Sequence, residues 1–198
     1  MSGYEKRTQE KRKQVLETTF QLINSDLGVD SLTIDEIVRL SGVGKTSIFK
    51  YFGNKEKLIE EVYLHYMKEM MDSAKKIMYE NRPFEETILT MTQNKINFQK
   101  KISKRFYMDL MSFVTKKEDK DFSSLLDQYT KESFDIMLDL FHRGRKEGKV
   151  DLKYSDEFLI LYFQSLVEGI SNPNIYERIL PYTNEWTTVM IKGFAPSK

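Results

Sequence analysis

The sequence predicts an all-α protein in which an N-terminal three-helix head is joined by a long fourth helix to a larger helical body. Three observations carry that expectation. Apolar residues recur at helical spacing along the chain, and no long alternating strand pattern stands out. Residues 32–52 read as two short helices hinged at one glycine. A hydrophobic content of 40% over 198 residues suffices for a packed core.

The first helix is carried by Val15, Leu16, Thr19, Phe20 and Ile23 and ends between Asn24 and Gly28. Thr33 followed by Glu36 is a capping box, in which a hydroxyl accepts a first-turn N–H and the acid reaches back; it starts the second helix. Ile34, Ile37, Val38 and Leu40 supply that helix's buried side. Gly42 stands where the chain must turn sharply and a residue without Cβ takes φ > 0 freely. In the third helix Ile48 and Phe52 repeat at i, i+4 toward the core, leaving Lys45, Thr46, Phe49 and Lys50 on another face.

Gly53 ends that helix and Asn54 can cap the fourth, whose stripe runs Leu58, Ile59, Val62, Tyr63, Tyr66, Met67, Met70 to about Met78. Asn81-Arg82-Pro83 breaks it, because proline starts helices better than it continues them. Helices follow at 84–100, 104–114, 122–147, 155–171 and 183–194. The charge run Lys116–Asp121 reads as a solvated connection, Gly148 closes the longest helix and Ser155 opens the next. The expected domains are 1–53 and 54–198.

Composition bounds the chemistry. The net charge is +1, so any nucleic-acid contact must come from local clustering. One cluster is Lys6, Arg7, Lys11, Arg12 and Lys13 against Glu10, which reads either as an arm on phosphates or as a solvated first turn. Without cysteine there is no disulfide or thiolate site, and His65 and His142 are too isolated to suggest a metal; no metal or cofactor is expected. No apolar run approaches the roughly 18 residues of a membrane span and the N-terminal residues lack a signal-peptide core, so a cytoplasmic protein without membrane contact is expected. Gly42–Ser47 echoes the end of a phosphate-binding loop. Arg39 stands where that loop needs its first glycine, however, and the preceding segment is helical rather than a strand. Neither histidine suggests an activated serine, and no enzyme is expected.

A glycine-hinged helix pair whose second member presents a basic face suits a DNA major groove. Thr33-Ile34-x-x-Ile37, Ser41-Gly42-Val43, Ile48-Phe49-x-Tyr51-Phe52 and Lys55-Glu56-Lys57-Leu58 together resemble the TetR family of transcriptional repressors over about residues 10–60. The resemblance implies a homodimeric repressor on double-stranded DNA at a palindromic operator, released when a small-molecule effector binds the body. It places DNA contacts at Thr33, Lys45, Thr46, Ser47, Phe49, Lys50, Tyr51 and Lys55. The lysines suit phosphates or base edges, the Thr46 and Ser47 hydroxyls hydrogen bonds, and Phe49 a thymine methyl. Tyr51 and the start of the fourth helix at Asn54 and Lys55 suit backbone contacts. The sequence departs from the family at Val38, Gly44, Thr46 and Phe49. Phe49 replaces the usual tyrosine and forfeits a hydroxyl contact of about 1 kcal/mol.

Large flexible and aromatic residues populate the body. Phe106, Met111, Phe134, Met137, Phe141 and Tyr162 are the candidate ligand-binding walls, although the same residues serve packing. Asp109, Gln164 and Glu168 would anchor a hydrophobic cation, whereas Lys95 and Arg105 would select an acidic ligand. The resemblance assigns Phe158, Leu159, Leu161, Tyr162, Leu166, Val167, Ile170, Trp186, Val189, Met190 and Phe194 to a four-helix dimer interface. The alternative is a helix-turn-helix regulator controlled by a protein partner rather than a small ligand.

Overall fold

A computed structural model gives the fold; it describes residues 3–116, 120–171, 175 and 178–197, with side chains at 3–114, 127–166, 168, 169, 175 and 178–197. The helices are α1 (Gly3–Ile23), α2 (Ile34–Ser41), α3 (Lys45–Phe52), α4 (Lys55–Tyr79), α5 (Phe84–Gln99), α6 (Lys104–Lys116), α7 (Lys120–Lys146), α8 (Asp156–Ser171) and α9 (Thr183–Phe194). Short 3-10 turns lie at Gly28–Ser31 and Leu180–Tyr182, and there is no strand among the described residues. Part of the expected charge run, Lys117–Asp119, falls outside the described residues, as do the side chains of Val167 and Ile170.

The chain forms two compact units, and they do not follow the expected boundary at residue 53. One comprises the residues up to Glu69 with Ile102–Phe113, the other Met70–Lys101 with the residues from Val114 onward. The reason lies in side chains. Leu58, Val62, Tyr63 and Tyr66 of α4 and Phe106 and Leu110 of α6 are buried with Val15, Ile23, Ile37, Ile48 and Phe52. Phe106 is at the centre of an aromatic cluster, edge-on to Phe20 (5.2 Å), Tyr63 (5.4 Å) and Tyr66 (5.4 Å). Such pairs contribute about 0.5–1.5 kcal/mol each beyond their burial. Burial pushes the Tyr63 phenol far above its ordinary value, and the Asp109 charge adds in the same direction, keeping the ring neutral.

The first unit also carries a charged clasp. Arg105 donates to Asp30 Oδ2 at 2.6 Å and to Asp109 Oδ1 at 3.0 Å, while Asp109 Oδ2 accepts the Val29 N–H at 3.3 Å. Gly28, at φ +60°, permits this approach, since a Cβ there would lie 2.6 Å from Arg105 Cγ. Arg105 and Asp109 are therefore engaged with the Gly28–Ser31 turn rather than presented as ligand anchors.

In the second unit Phe84, Ile88, Met137, Leu140, Phe141, Val150, Leu159 and Phe194 form the core. Gly144 lets α7 meet Phe84 and Val150, because a Cβ would stand 2.7 Å from the Phe84 ring and 2.6 Å from Val150 Cγ2. Glu147 accepts the Phe84 N–H at 2.8 Å, capping α5 where Pro83 offers no side-chain acceptor. Arg143 donates to the Met78 carbonyl at 3.2 Å, satisfying the C-terminal turn of α4. Asp156 accepts from His142 Nε2 at 2.9 Å and pairs with Arg145; these partners hold its carboxyl below the ordinary range.

Candidate functional site

The α2–turn–α3 segment is built as its sequence requires. Thr33 is extended (φ −121°, ψ 147°) and its Oγ1 accepts the Glu36 N–H at 3.2 Å, half of the capping box. The Glu36 carboxylate instead lies 3.6 Å from Arg39. Ile37 and Ser41 are buried with Ile34 and Val38 half-buried, whereas Leu40 is 50% exposed and does not join the expected buried side; it lies a further 100° around the helix. Gly42 adopts the left-handed conformation (φ 67°, ψ 8°), donates to the Val38 carbonyl at 2.9 Å and lets Val43 bury. Gly44 begins α3 without a side-chain cap.

Ile48 and Phe52 pin α3 down, and Lys45, Thr46, Phe49 and Lys50 all reach solvent, with Ser47 and Tyr51 half-buried. Lys45 Nζ lies 2.9 Å from Asp35 Oδ1 with both side chains exposed, a pair that contributes little and can open. Lys50 has no ion-pair partner among the described residues. Lys55 points elsewhere: its ammonium donates to the Leu32 carbonyl at 3.1 Å. Asn54 Oδ1 accepts the Lys57 N–H at 2.7 Å, so the free backbone donors at the start of α4 are those of Lys55 and Glu56.

The basic segment at residues 6–13 is helical, within α1, rather than a separate arm. Lys6, Arg7, Lys11 and Lys13 are exposed on it. Arg12 is different. It donates to the Tyr51 carbonyl at 2.5 Å and to Glu61 Oε2 at 2.6 Å, and its guanidinium lies 4.7 Å from the centre of the Phe52 ring. It thus joins α1 to the last turn of α3 and to α4, a structural role missing from the sequence reading. The available signal was position: Arg12 lies one turn before Val15, on the side that buries.

Among the described residues of the second unit lie cavities of about 290 and 130 Å³, which share Thr92, Lys95, Phe163 and Met190. The larger is completed by Met70, Met71, Ala74, Ile88, Met91, Asn94, Ser133, Ile136, Met137 and Leu140. The smaller reaches Gln99, Leu166, Ile179, Leu180, Thr183, Trp186 and Thr187. Of the six expected walls only Met137 borders either one. Phe106 is at the centre of the first unit's ring cluster, a packing role, and Phe141 is fully buried against Phe194 at 5.1 Å. Tyr162 sits on an exposed ring stack with Phe158 at 6.1 Å, while Met111 and Phe134 are half-buried away from both cavities. Gln164 donates to Glu168 at 2.7 Å on exposed α8, outside both cavities. Periodicity finds apolar faces but does not tell a void from a packed contact.

Phe158, Leu161, Tyr162, Trp186 and Val189 of α8 and α9 remain exposed, whereas Leu159 and Phe194, also expected at an interface, are buried in their own core. Among the described residues no helix is long and apolar enough to cross a membrane, and no group of three potential metal ligands occurs.

A glycine-hinged helix pair with an exposed cationic and aromatic second helix defines a helix-turn-helix protein. Residues 15–62 match the family model described as bacterial regulatory proteins, tetR family. On this match, residues 15–62 are similar to the helix-turn-helix segment of that family. The chain is 32% identical over 79 residues to the uncharacterized HTH-type transcriptional regulator YhgD of Bacillus subtilis, spanning 40% of this chain and 41% of that relative's length. A transcriptional regulator from Saccharomonospora viridis in complex with choline superposes with a TM-score of 0.74 at 14% identity, covering 93% of this chain and 96% of the other. FadR from Bacillus subtilis in complex with stearoyl-CoA gives 0.68 at 12% identity, covering 91% and 98%.

Proposed function

We propose that the protein is a cytoplasmic, homodimeric repressor that binds a palindromic operator through α3 and is released by a small-molecule effector in the second unit. The observation that carries this reading is the exposed Lys45–Thr46–Phe49–Lys50 face, held outward by buried Ile48 and Phe52. Thr33, Ser47, Tyr51 and the first N–H groups of α4 flank it, and the hydroxyls and amides add phosphate contacts. Lys55 contributes its backbone; its side chain serves Leu32.

Dimerisation is part of the mechanism, because two recognition helices must reach successive major grooves about 34 Å apart. The apolar face of Phe158, Leu161, Tyr162 and Val189 supports a symmetric pairing of α8 and α9. The cavities favour a small-molecule effector over control by a protein partner alone, since a closed core would offer a ligand nothing. An effector that binds more tightly to protomer pairs with misplaced recognition helices shifts the population away from DNA.

The test is binding of the purified protein to DNA from its own promoter region across 50–200 mM salt, with protomer number measured by sedimentation. Salt-sensitive binding of a dimer to a palindrome is expected. A monomer, or no binding at low salt, refutes the reading.

A further inference from the structure

Among the described residues, Lys95 is the only charged one bordering either cavity, and it borders both. Among the described residues, no carboxylate lines the cavities from α4, α5, α7, α8 or α9, and Lys95 makes no hydrogen bond or ion pair. Several of the surrounding polar groups are engaged with one another or with backbone. Thr92 and Thr187 hydroxyls bond each other at 3.1 Å, Thr183 donates to the Leu180 carbonyl at 2.8 Å, and Asn94 Oδ1 accepts from Ser73 at 2.9 Å. The rest of the lining is largely methionine, isoleucine, leucine and aromatic.

A solitary cation among apolar walls is costly unless an anion joins it. A lysine whose head merely snorkelled to bulk water would keep its ordinary affinity for protons. Lys95 is exposed while bordering both cavities, and its apolar surroundings push the ammonium down from its ordinary value. Structures of this fold hold ligands as different as choline and stearoyl-CoA, so the fold does not set the ligand's charge; this chain's own lining does.

We infer that the cavities receive an anionic amphiphile, a carboxylate on an apolar chain, with Lys95 holding the carboxylate and Met70, Met91, Met137, Phe163 and Met190 enclosing the chain. The inference rests on the effector reading above and gives that effector a chemical class. A charge-assisted N–H···O bond orients the head, and flexible thioethers adapt to the chain.

Trp186, the single tryptophan, borders the smaller cavity and reports binding in the full-length protein by its fluorescence. Dodecanoate, dodecanol and dodecyltrimethylammonium are titrated into wild type, Lys95→Met and Lys95→Arg. Wild type should bind dodecanoate about tenfold or more tightly than dodecanol and the cation. Lys95→Met should lose that preference with dodecanol affinity unchanged, and Lys95→Arg should restore it. Equal dodecanoate affinity in Lys95→Met, preference for the cation, or no binding of dodecanoate overturns the inference. A parallel titration on the protein–operator complex separates the two proposals. Dodecanoate bound through Lys95 without release of DNA upholds the ligand class and refutes the effector reading, whereas operator binding by a protein that ignores dodecanoate does the reverse for the DNA reading and the ligand class.

Discussion

Replacing Arg12 by alanine distinguishes an arginine that builds the helix-turn-helix unit from one that touches DNA. Its guanidinium donates to the Tyr51 carbonyl and to Glu61 and covers the Phe52 ring. The Arg12 and Glu61 side chains are 28% and 36% exposed, so solvent reduces the ion pair to about 1 kcal/mol. The Tyr51 carbonyl is an acceptor in the last turn of α3, where helical partners run out and positive charge is favourable. That bond adds about 1 kcal/mol and the ring contact about 0.5 kcal/mol. Arg12→Ala should therefore cost roughly 2.5 kcal/mol, a fall of about 5–10 °C in Tm for a chain of this length, read by circular dichroism. Because these donors are engaged within the protein, the slope of log K against log salt for operator binding should stay at its wild-type value. A variant that melts with wild type while its slope shrinks by about 0.9 would put Arg12 on a phosphate and refute the assignment.

Lys50→Ala should behave oppositely, with unchanged Tm and a salt slope smaller by about 0.9 if Lys50 meets a phosphate, measured by fluorescence anisotropy on an operator fragment. Gly144→Ala should destabilise by about 1–3 kcal/mol in thermal or urea unfolding, since its Cβ would strike Phe84 and Val150. Lys95→Met should raise the Tm of the unliganded protein near neutral pH: apolar surroundings lower the folded ammonium's proton affinity, so the wild type loses stability as pH falls from the unfolded value toward the folded one. A lowered Tm would instead mark Lys95 as a packing residue. Asp156, depressed by His142 and Arg145, contributes stability present above the ordinary carboxylate range and lost as pH falls through its folded value; Asp156→Asn should flatten that acid limb of a Tm-against-pH profile.

The elements themselves were legible because helical periodicity and caps are local. Thr33 accepting from Glu36, Asn54 from Lys57 and Phe158 donating to Ser155 are contacts between residues three positions apart. The exposed face of α3 follows from Ile48 and Phe52 by rotation around one helix. The cavities were less legible. Phe106 and Met137 look alike in a stripe, yet Phe106 fills a ring cluster and Met137 borders a void. Whether an apolar face closes completely depends on the volumes arriving from other helices.

The sequence by itself determined that the chain is helical, where its helices begin and end, and that a glycine-hinged pair offers a cationic surface, since each depends on residues within a turn or two. Only the tertiary structure decided that Arg12 binds a carbonyl 39 positions away and that Lys95 meets no acid among the described residues lining its cavities. Charge in a sequence carries no depth or partner; those follow from which distant elements pack around it.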